Sequence, residues 1–281
     1  MSRILITGAV GGVGTILRPQ LAAPGRTLRL LDIAPLADLP AIPAAAAGRT
    51  ADGEEYVQAS VTDAAAMEKA CEGVDAIIHL GGISVEAPWE RIHEVNIGGT
   101  CTVFEAARRT GVPRVVFASS NHVVGFHTPD EYPLPETVTP LPDTYYGVSK
   151  VAGEALGALY AHRYGLDVIC VRIMSCFPEP ANPRMLATWL SPDDAGRLFE
   201  ACLTAENPGY RVVYGVSDNT RGGWVSQEGA RALGFEPRDN AEAYASQVRE
   251  RAGEVADDDP VLAHLGGQFC FPNLDADRLG A

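Results

Sequence analysis

An α/β chain built on a doubly wound parallel sheet is the fold that three features of the sequence predict. Short apolar runs alternate with helical patterns from residue 3 to residue 173, the order that builds parallel strands covered by helices on both faces. The first run, Arg3 to Thr7, empties into a turn with glycines at Gly8, Gly11 and Gly14, followed by a helical pattern to about Leu21. The second run, Thr27 to Leu31, ends on Asp32, 18 residues beyond Gly14.

Glycines in that spacing allow a tight turn, a close approach of backbone to a phosphate, and close packing of helix on strand. The helix start then offers free N–H groups and the positive dipole end to a pyrophosphate. A carboxylate at Asp32 stands where it can accept hydrogen bonds from an adenosine ribose. Its charge opposes a 2′-phosphate, and no arginine follows in Ile33-Ala34-Pro35, so NAD is expected over NADP. A glycine trio alone also fits an ordinary turn, and an aspartate alone fits a helix cap; the order strand, glycines, helix, strand, acid favours the Rossmann-type reading.

The remaining elements follow in order. Residues 34–53, rich in Ala and Pro, read as a loop with a helical turn. Glu55 to Ala59 reads as a strand, Ala64 to Cys71 as a helix, and Ala76 to Leu80 as a strand closing on Gly81-Gly82-Ile83-Ser84. Two glycines at the carboxyl end of a strand belong at the crevice of such a sheet, with Ser84 facing a substrate or simply solvent. A helix is expected over Trp89 to Arg109, a strand over Arg114 to Ala118, and then Ser119-Ser120-Asn121-His122. A proline-rich loop leads to a helix from Tyr146 to about Tyr164, and a strand runs from Leu166 to Ile173. This first part, 1–173, is expected to bind the dinucleotide. Residues 174–281 read as a smaller substrate region packed on it, the two making one compact unit. Three prolines between Cys176 and Arg184 exclude a regular element there. Beyond them come helices at Ser191 to Thr204, Val225 to Leu233 and Ala241 to Arg251, and a strand at Tyr210 to Val216. An irregular tail with an acidic cluster at Asp257 to Asp259 closes the chain.

Tyr146 and Lys150, four residues apart, share one helix face. A lone phenol titrates near ~10, and an ammonium beside it favours the phenolate, a base suited to taking a proton from an alcohol. Ser120 is placed to share that proton. The pair YxxxK alone also fits a surface Tyr and Lys; the glycine turn at the start of the chain decides for chemistry.

Composition sets further bounds. The 281 residues carry a formal charge of −14, which disfavours nucleic acid as a partner and requires a local cation to meet any anionic substrate. Six cysteines at irregular spacing read as small buried hydrophobes rather than disulfides or metal ligands, and no metal is expected. No apolar run approaches the ~20 residues of a membrane span, and a cytoplasmic location is expected.

The glycine trio, Ser120 and Tyr146-xxx-Lys150 together resemble the extended short-chain dehydrogenase/reductases. More narrowly, His79-Leu-Gly-Gly-Ile-Ser-Val-Glu86, Phe117-Ala-Ser-Ser-Asn-His122, Arg172-Ile-Met-Ser-Cys-Phe-Pro-Glu-Pro180, Arg184-Met185, Asp239-Asn-Ala-Glu-Ala243 and Gly266-Gly267 are similar to the uronate dehydrogenase branch of that family, over nearly the whole chain. The resemblance implies NAD-dependent oxidation of D-galacturonate or D-glucuronate at the anomeric carbon to the aldaric acid lactone, by a homo-oligomer. It implies Tyr146 as base, Lys150 as its partner and ribose anchor, and Ser120 as the hydroxyl that orients the sugar. Ser84, Asn121, His122, Ser175 and Arg184 would contact the sugar, Arg184 gripping its carboxylate. Gly12, Val13, Ile33, Ser60, Val61, Leu80 and Asn96 would join Gly8, Gly11, Gly14, Asp32, Gly81 and Gly82 around the cofactor. Two positions depart from the branch: Ser60-Val61 stands where an acidic residue would meet the adenine, and Met174 stands where a glycine is expected, implying a bulkier pocket wall. A nucleotide-sugar epimerase or dehydratase of the same family is an alternative, although residues 174–281 show no basic cradle for a nucleoside diphosphate. A non-catalytic NAD-sensing regulator is another, which would not need Ser120, Tyr146 and Lys150.

Overall fold

The computed structural model describes residues 2–40, 53–253, 256 and 259–271; most of the loop expected over 34–53, and most of the acidic cluster at 257–259, fall outside them. Seven parallel strands form one sheet: β1 (Ser2–Thr7), β2 (Arg26–Asp32), β3 (Gly53–Gln58), β4 (Ala76–His79), β5 (Arg114–Ser120), β6 (Asp167–Ile173) and, after a two-stranded ribbon of β7 (Ser175–Cys176) and β8 (Trp189–Leu190), β9 (Tyr210–Gly215). Their order across the sheet is β3-β2-β1-β4-β5-β6-β9. The order reverses between β1 and β4, which pair in parallel from Ile4–Ala76 to Thr7–His79, and this reversal opens the crevice at their carboxyl ends. The doubly wound sheet expected from the sequence is borne out.

Alternation along the strands covers both faces of the sheet. Ile4, Ile6, Ile78, Val116, Ala118, Ile169 and Val171 point into one apolar layer. Leu5, Ile77, Val115, Phe117, Val168 and Cys170 point into the other. The first layer is roofed by α1 (Gly12–Gln20) and, much later in the chain, α7 (Pro192–Thr204), which supplies Ala195, Leu198, Phe199 and Cys202. Residues beyond 173 therefore supply both an edge strand and a covering helix to the dinucleotide-type sheet. The second layer is covered by α2 (Ala64–Cys71), α4 (Gly99–Thr110) and α5 (Tyr145–Tyr164). Short helices α3 (Trp89–Arg91), α6 (Met185–Thr188), α8 (Glu228–Ala232) and α9 (Ala245–Ala252) complete the chain.

Three expected helices come out shorter or differently wound. Val225 to Leu233 is helical only over Glu228–Ala232, because Val225 is held in a parallel bridge to Leu134. The Ala241 to Arg251 segment opens as a 3₁₀ turn, with Asn240 capping Glu242 N–H, before α9 begins. The single helix expected over Trp89 to Arg109 is interrupted by a π segment, Ile92–Gly98, a rare form that recurs at functional sites.

α5 sets the position of the chemistry. The Thr144 hydroxyl accepts from Gly147 N–H at 3.0 Å to start the helix, and Gly165, at φ 76°, ends it. Between them, a Cβ on Gly153 would lie 2.3 Å from the Phe117 ring. Glycine there lets the helix settle on β5, bringing Tyr146 and Lys150 over the end of that strand.

Candidate active site

The crevice is lined first by the glycine turn. Gly8 has φ +70°, and a Cβ there would lie 2.8 Å from Gly81 N; a Cβ on Gly14 would lie 2.4 Å from Gly8 O. Only glycines allow these backbones to meet, across the point where the strand order reverses. Gly12 and Val13 open α1 beside them. Asp32 closes β2 with one carboxylate oxygen accepting from Val10 N–H at 2.9 Å and the other from Ala34 N–H at 3.1 Å. The carboxylate is thus fixed to the glycine turn, with lone pairs to spare. Ile33 stands out at 71% exposure. Val61 is buried, within contact reach of Gly81 and Gly99, while the Ser60 hydroxyl pairs with Thr62 Oγ1 at 2.7 Å. Leu80 donates its N–H to Thr7 O at 3.2 Å. A cradle in which Gly8 and Gly14 leave no room for a side chain, with a carboxylate fixed at the end of β2, fits a dinucleotide.

The π segment has a visible purpose. It turns Asn96 inward, where Oδ1 accepts from Ile83 N–H at 2.8 Å and Nδ2 donates to Ile83 O at 2.9 Å and Ser149 Oγ at 3.0 Å. Asn96 therefore ties the Gly82–Ile83 loop, one residue before Ser84, to the helix that carries Tyr146. Ser84 itself is exposed.

Tyr146, Lys150 and Ser120 are all buried. The Lys150 ammonium donates to Ala118 O at 2.8 Å and lies 5.0 Å from the Phe117 ring centre and 5.5 Å from that of Tyr146. Burial pushes the lysine down to about 8. The phenol is not lowered as expected: burial pushes Tyr146 up to about 12, against the Ser120 hydroxyl, whose hydrogen bond pulls it down, and with Asp143, whose charge adds to the rise.

On the other side, Arg184 is held by the C-terminal segment. Its Nε donates to Leu265 O at 3.0 Å, one terminal nitrogen also donates to Leu265 O, and another reaches Ser175 Oγ at 3.4 Å. Ser175 pairs with Thr188 Oγ1 at 2.8 Å. With its amide oriented to satisfy both partners, Asn121 accepts from Arg184 at 3.1 Å and donates to Ile173 O at 3.3 Å. Arg184 thereby reaches the residue next to Ser120. Burial pushes the guanidinium down to about 10, and no carboxylate of the described residues forms an ion pair with it. Met174 is buried in an apolar cluster with Val123, Leu134, Tyr214 and Leu265.

Three polar residues at the site went unassigned in the sequence. Glu86, buried, accepts from Tyr145 and Tyr146 N–H at 3.2 and 2.9 Å, a carboxylate at the helix start where the dipole favours it. Glu154 takes Ser119 Oγ at 2.6 Å and both sides of the Arg172 guanidinium at 2.9 Å, fixing the end of β5. Asp143 pairs with His122 Nδ1 at 2.7 Å. Glu86 lies only two residues past Ser84, and Asp143-Thr144 has the composition of a helix start, but neither pattern names the partner.

The sequence matches the model of the NAD dependent epimerase/dehydratase family over residues 4–191. The chain belongs to that family. Within it, the uronate dehydrogenase of Pseudomonas syringae pv. tomato is 44% identical over 268 residues, covering 95% of this chain and 93% of its own. The NAD-dependent glucose-6-phosphate dehydrogenase of Haloferax volcanii is 40% identical over 256 residues, 86% of this chain and 95% of its own. The crystal structure of uronate dehydrogenase from Agrobacterium tumefaciens superposes with a TM-score of 0.86 at 42% identity, over 96% of this chain and 97% of that one. A mutant of the same enzyme complexed with NAD gives 0.85 at 42% identity, with the same coverage. The resemblance to the extended short-chain dehydrogenase/reductases and their uronate dehydrogenase branch is borne out by these relatives.

Proposed function

We propose that the chain oxidises a free hexuronic acid, D-galacturonate or D-glucuronate, at the anomeric carbon to the aldaric acid lactone with NAD as oxidant. The observation that carries the reading is Arg184, a half-buried guanidinium with no ion pair to a carboxylate among the described residues, reaching Asn121 beside the buried Ser120 and Tyr146. A cation in that place can meet a sugar carboxylate, and a chain of charge −14 needs such a cation at its site.

When bound, NAD would supply the hydride acceptor for the anomeric carbon. The backbone of Gly8, Gly11, Gly12, Val13 and Gly14 would hold it, with Asp32 and Lys150 serving its ribose hydroxyls and Ile33, Ser60, Val61, Leu80, Gly81 and Gly82 lining its place. Asn96 acts by fixing that last loop. Tyr146 takes the proton of the anomeric hydroxyl. Ser120 hydrogen-bonds the same proton, and the positive charge of Lys150 favours the phenolate against the cost of burial. Ser84, Asn121, His122 and Ser175 orient the ring hydroxyls. The substrate region is the part of the chain beyond 173 that supplies Ser175, Arg184 and the Leu265 turn. The reading carries with it a cytoplasmic homo-oligomer that meets neither nucleic acid nor membrane; all six cysteines are free, as a reducing compartment would keep them.

NADH formation with galacturonate, glucuronate, glucose 6-phosphate and UDP-sugars tests it. Turnover of the uronates, lost for Arg184→Ala through a raised KM with NAD affinity intact, is expected. Turnover of glucose 6-phosphate or a UDP-sugar in place of the uronates would overturn the assignment of Arg184 to a carboxylate.

A further inference from the structure

We propose that Asp143 is a positioning residue for this reaction: its carboxylate holds the imidazole proton of His122 on Nδ1 and fixes the ring so that Nε2 is the atom offered to the sugar. The inference rests on the reading that His122 contacts the substrate.

Asp143 has a side chain with 0% exposure, and its Oδ2 lies 2.7 Å from His122 Nδ1. Its Oδ1 accepts the Thr144 hydroxyl at 2.9 Å, and its N–H donates to His122 O at 3.4 Å. An ionised carboxylate only accepts, so the nitrogen facing it must carry the proton. Three separate segments close over this carboxylate, and each does so at a glycine. A Cβ on Gly125 or Gly266 would lie 2.0 Å from Oδ2, and one on Gly147 would lie 2.5 Å from His122 O. The thiol of Cys270 lies 3.8 Å from Oδ2. The rest of the imidazole is wedged between the Phe269 ring, with centroids 4.2 Å apart, and the edge-on Tyr146 ring at 5.7 Å. Nε2 has no hydrogen bond among the described residues, and the side chain keeps 13% exposure.

A buried carboxylate in this place does not serve the base directly. Its charge opposes loss of the Tyr146 proton, and it also faces Arg184 and Cys270. Its direct hydrogen-bonded partner on the substrate side is His122, which stands between it and Tyr146. That geometry gives Asp143 the task of setting a tautomer and an orientation, as a carboxylate behind an imidazole does elsewhere.

Two measurements test this. Long-range 1H–15N spectra of histidine-labelled protein near pH 8.5, with His122 assigned by its disappearance in His122→Gln, should show a protonated Nδ1. A bare Nδ1 with the proton on Nε2 overturns the proposal. This spectrum needs neither turnover nor a folded Asp143 variant, so it stands apart from any failure of uronate oxidation. In the second, Asp143→Asn should lower kcat/KM for the uronate about 10–100-fold, the scale of a lost oriented hydrogen bond, while the NAD dissociation constant stays within about twofold. In a His122→Ala background the same substitution should cost less than about twofold more. Unchanged kcat/KM in the single variant, or additive losses in the double, would reduce Asp143 to a structural role.

Discussion

Lys150→Met should make the cofactor-free protein more stable while abolishing turnover. The lysine is buried at 7% exposure and pushed down to about 8 from its ordinary 10.5 by burial alone. Below about pH 8 both folded and unfolded chains carry the charge, and the folded one carries it at a cost. Between 8 and 10.5 the unfolded chain binds more protons than the folded one, so stability rises with pH through that window. At about 1.4 kcal/mol for each tenfold, the gap is worth about 3 kcal/mol at neutral pH. Against it stand the hydrogen bond to Ala118 O and the contact with the Phe117 ring, which together offset about 1–2 kcal/mol. A net gain of about 1–2 kcal/mol remains, which for a chain of this size raises Tm by roughly 2–8 °C. Calorimetry of both proteins at pH 7 and near pH 10 reads it: the gain should be present at pH 7 and shrink toward pH 10. A lower Tm for the variant at pH 7, or a difference that does not change with pH, would refute the electrostatic reasoning.

Other substitutions probe the frame. Gly14→Ala drives a Cβ against Gly8 O; overpacking of about 1–3 kcal/mol should weaken NAD binding roughly 5–150-fold, read by calorimetric titration. Arg172→Met leaves the Glu154 carboxylate buried without its cation, at a cost of about 3–5 kcal/mol in urea unfolding, and Arg172→Met with Glu154→Leu should recover most of it. Glu86→Gln places an amide donor against the N–H groups of Tyr145 and Tyr146. It should cost about 1–3 kcal/mol and speed hydrogen exchange in the first turn of α5 more than in its last.

The parts of this architecture that obey short-range rules were legible from residues alone. Gly8 and Gly14 mark a backbone crossing that tolerates no Cβ, and Tyr146 and Lys150 share a face by helical spacing. Ser191-Pro192 marks the start of α7, where the serine caps Asp194 N–H at 2.9 Å. What could not be read depends on contacts distant in the chain. The π segment at Ile92–Gly98 exists because Asn96 is captured by Ile83 and Ser149, and no local propensity records that capture. The role of Arg184 was inferred from likeness; that its guanidinium is steadied by Leu265 O, 81 residues later, is a tertiary fact. The lysine beside the tyrosine suggested a lowered phenol, whereas the depth of both side chains reverses the sign, and burial is a property of the fold rather than of the pair.

Initial-rate NADH formation by Tyr146→Phe with saturating galacturonate, beside a parallel titration of NAD, tests whether Tyr146 is the base. A loss of at least ~10²–10⁴-fold is expected, the contribution of a positioned base, with the NAD dissociation constant nearly unchanged. Turnover within tenfold of the parent would contradict it, leaving the proton to some other group in the crevice.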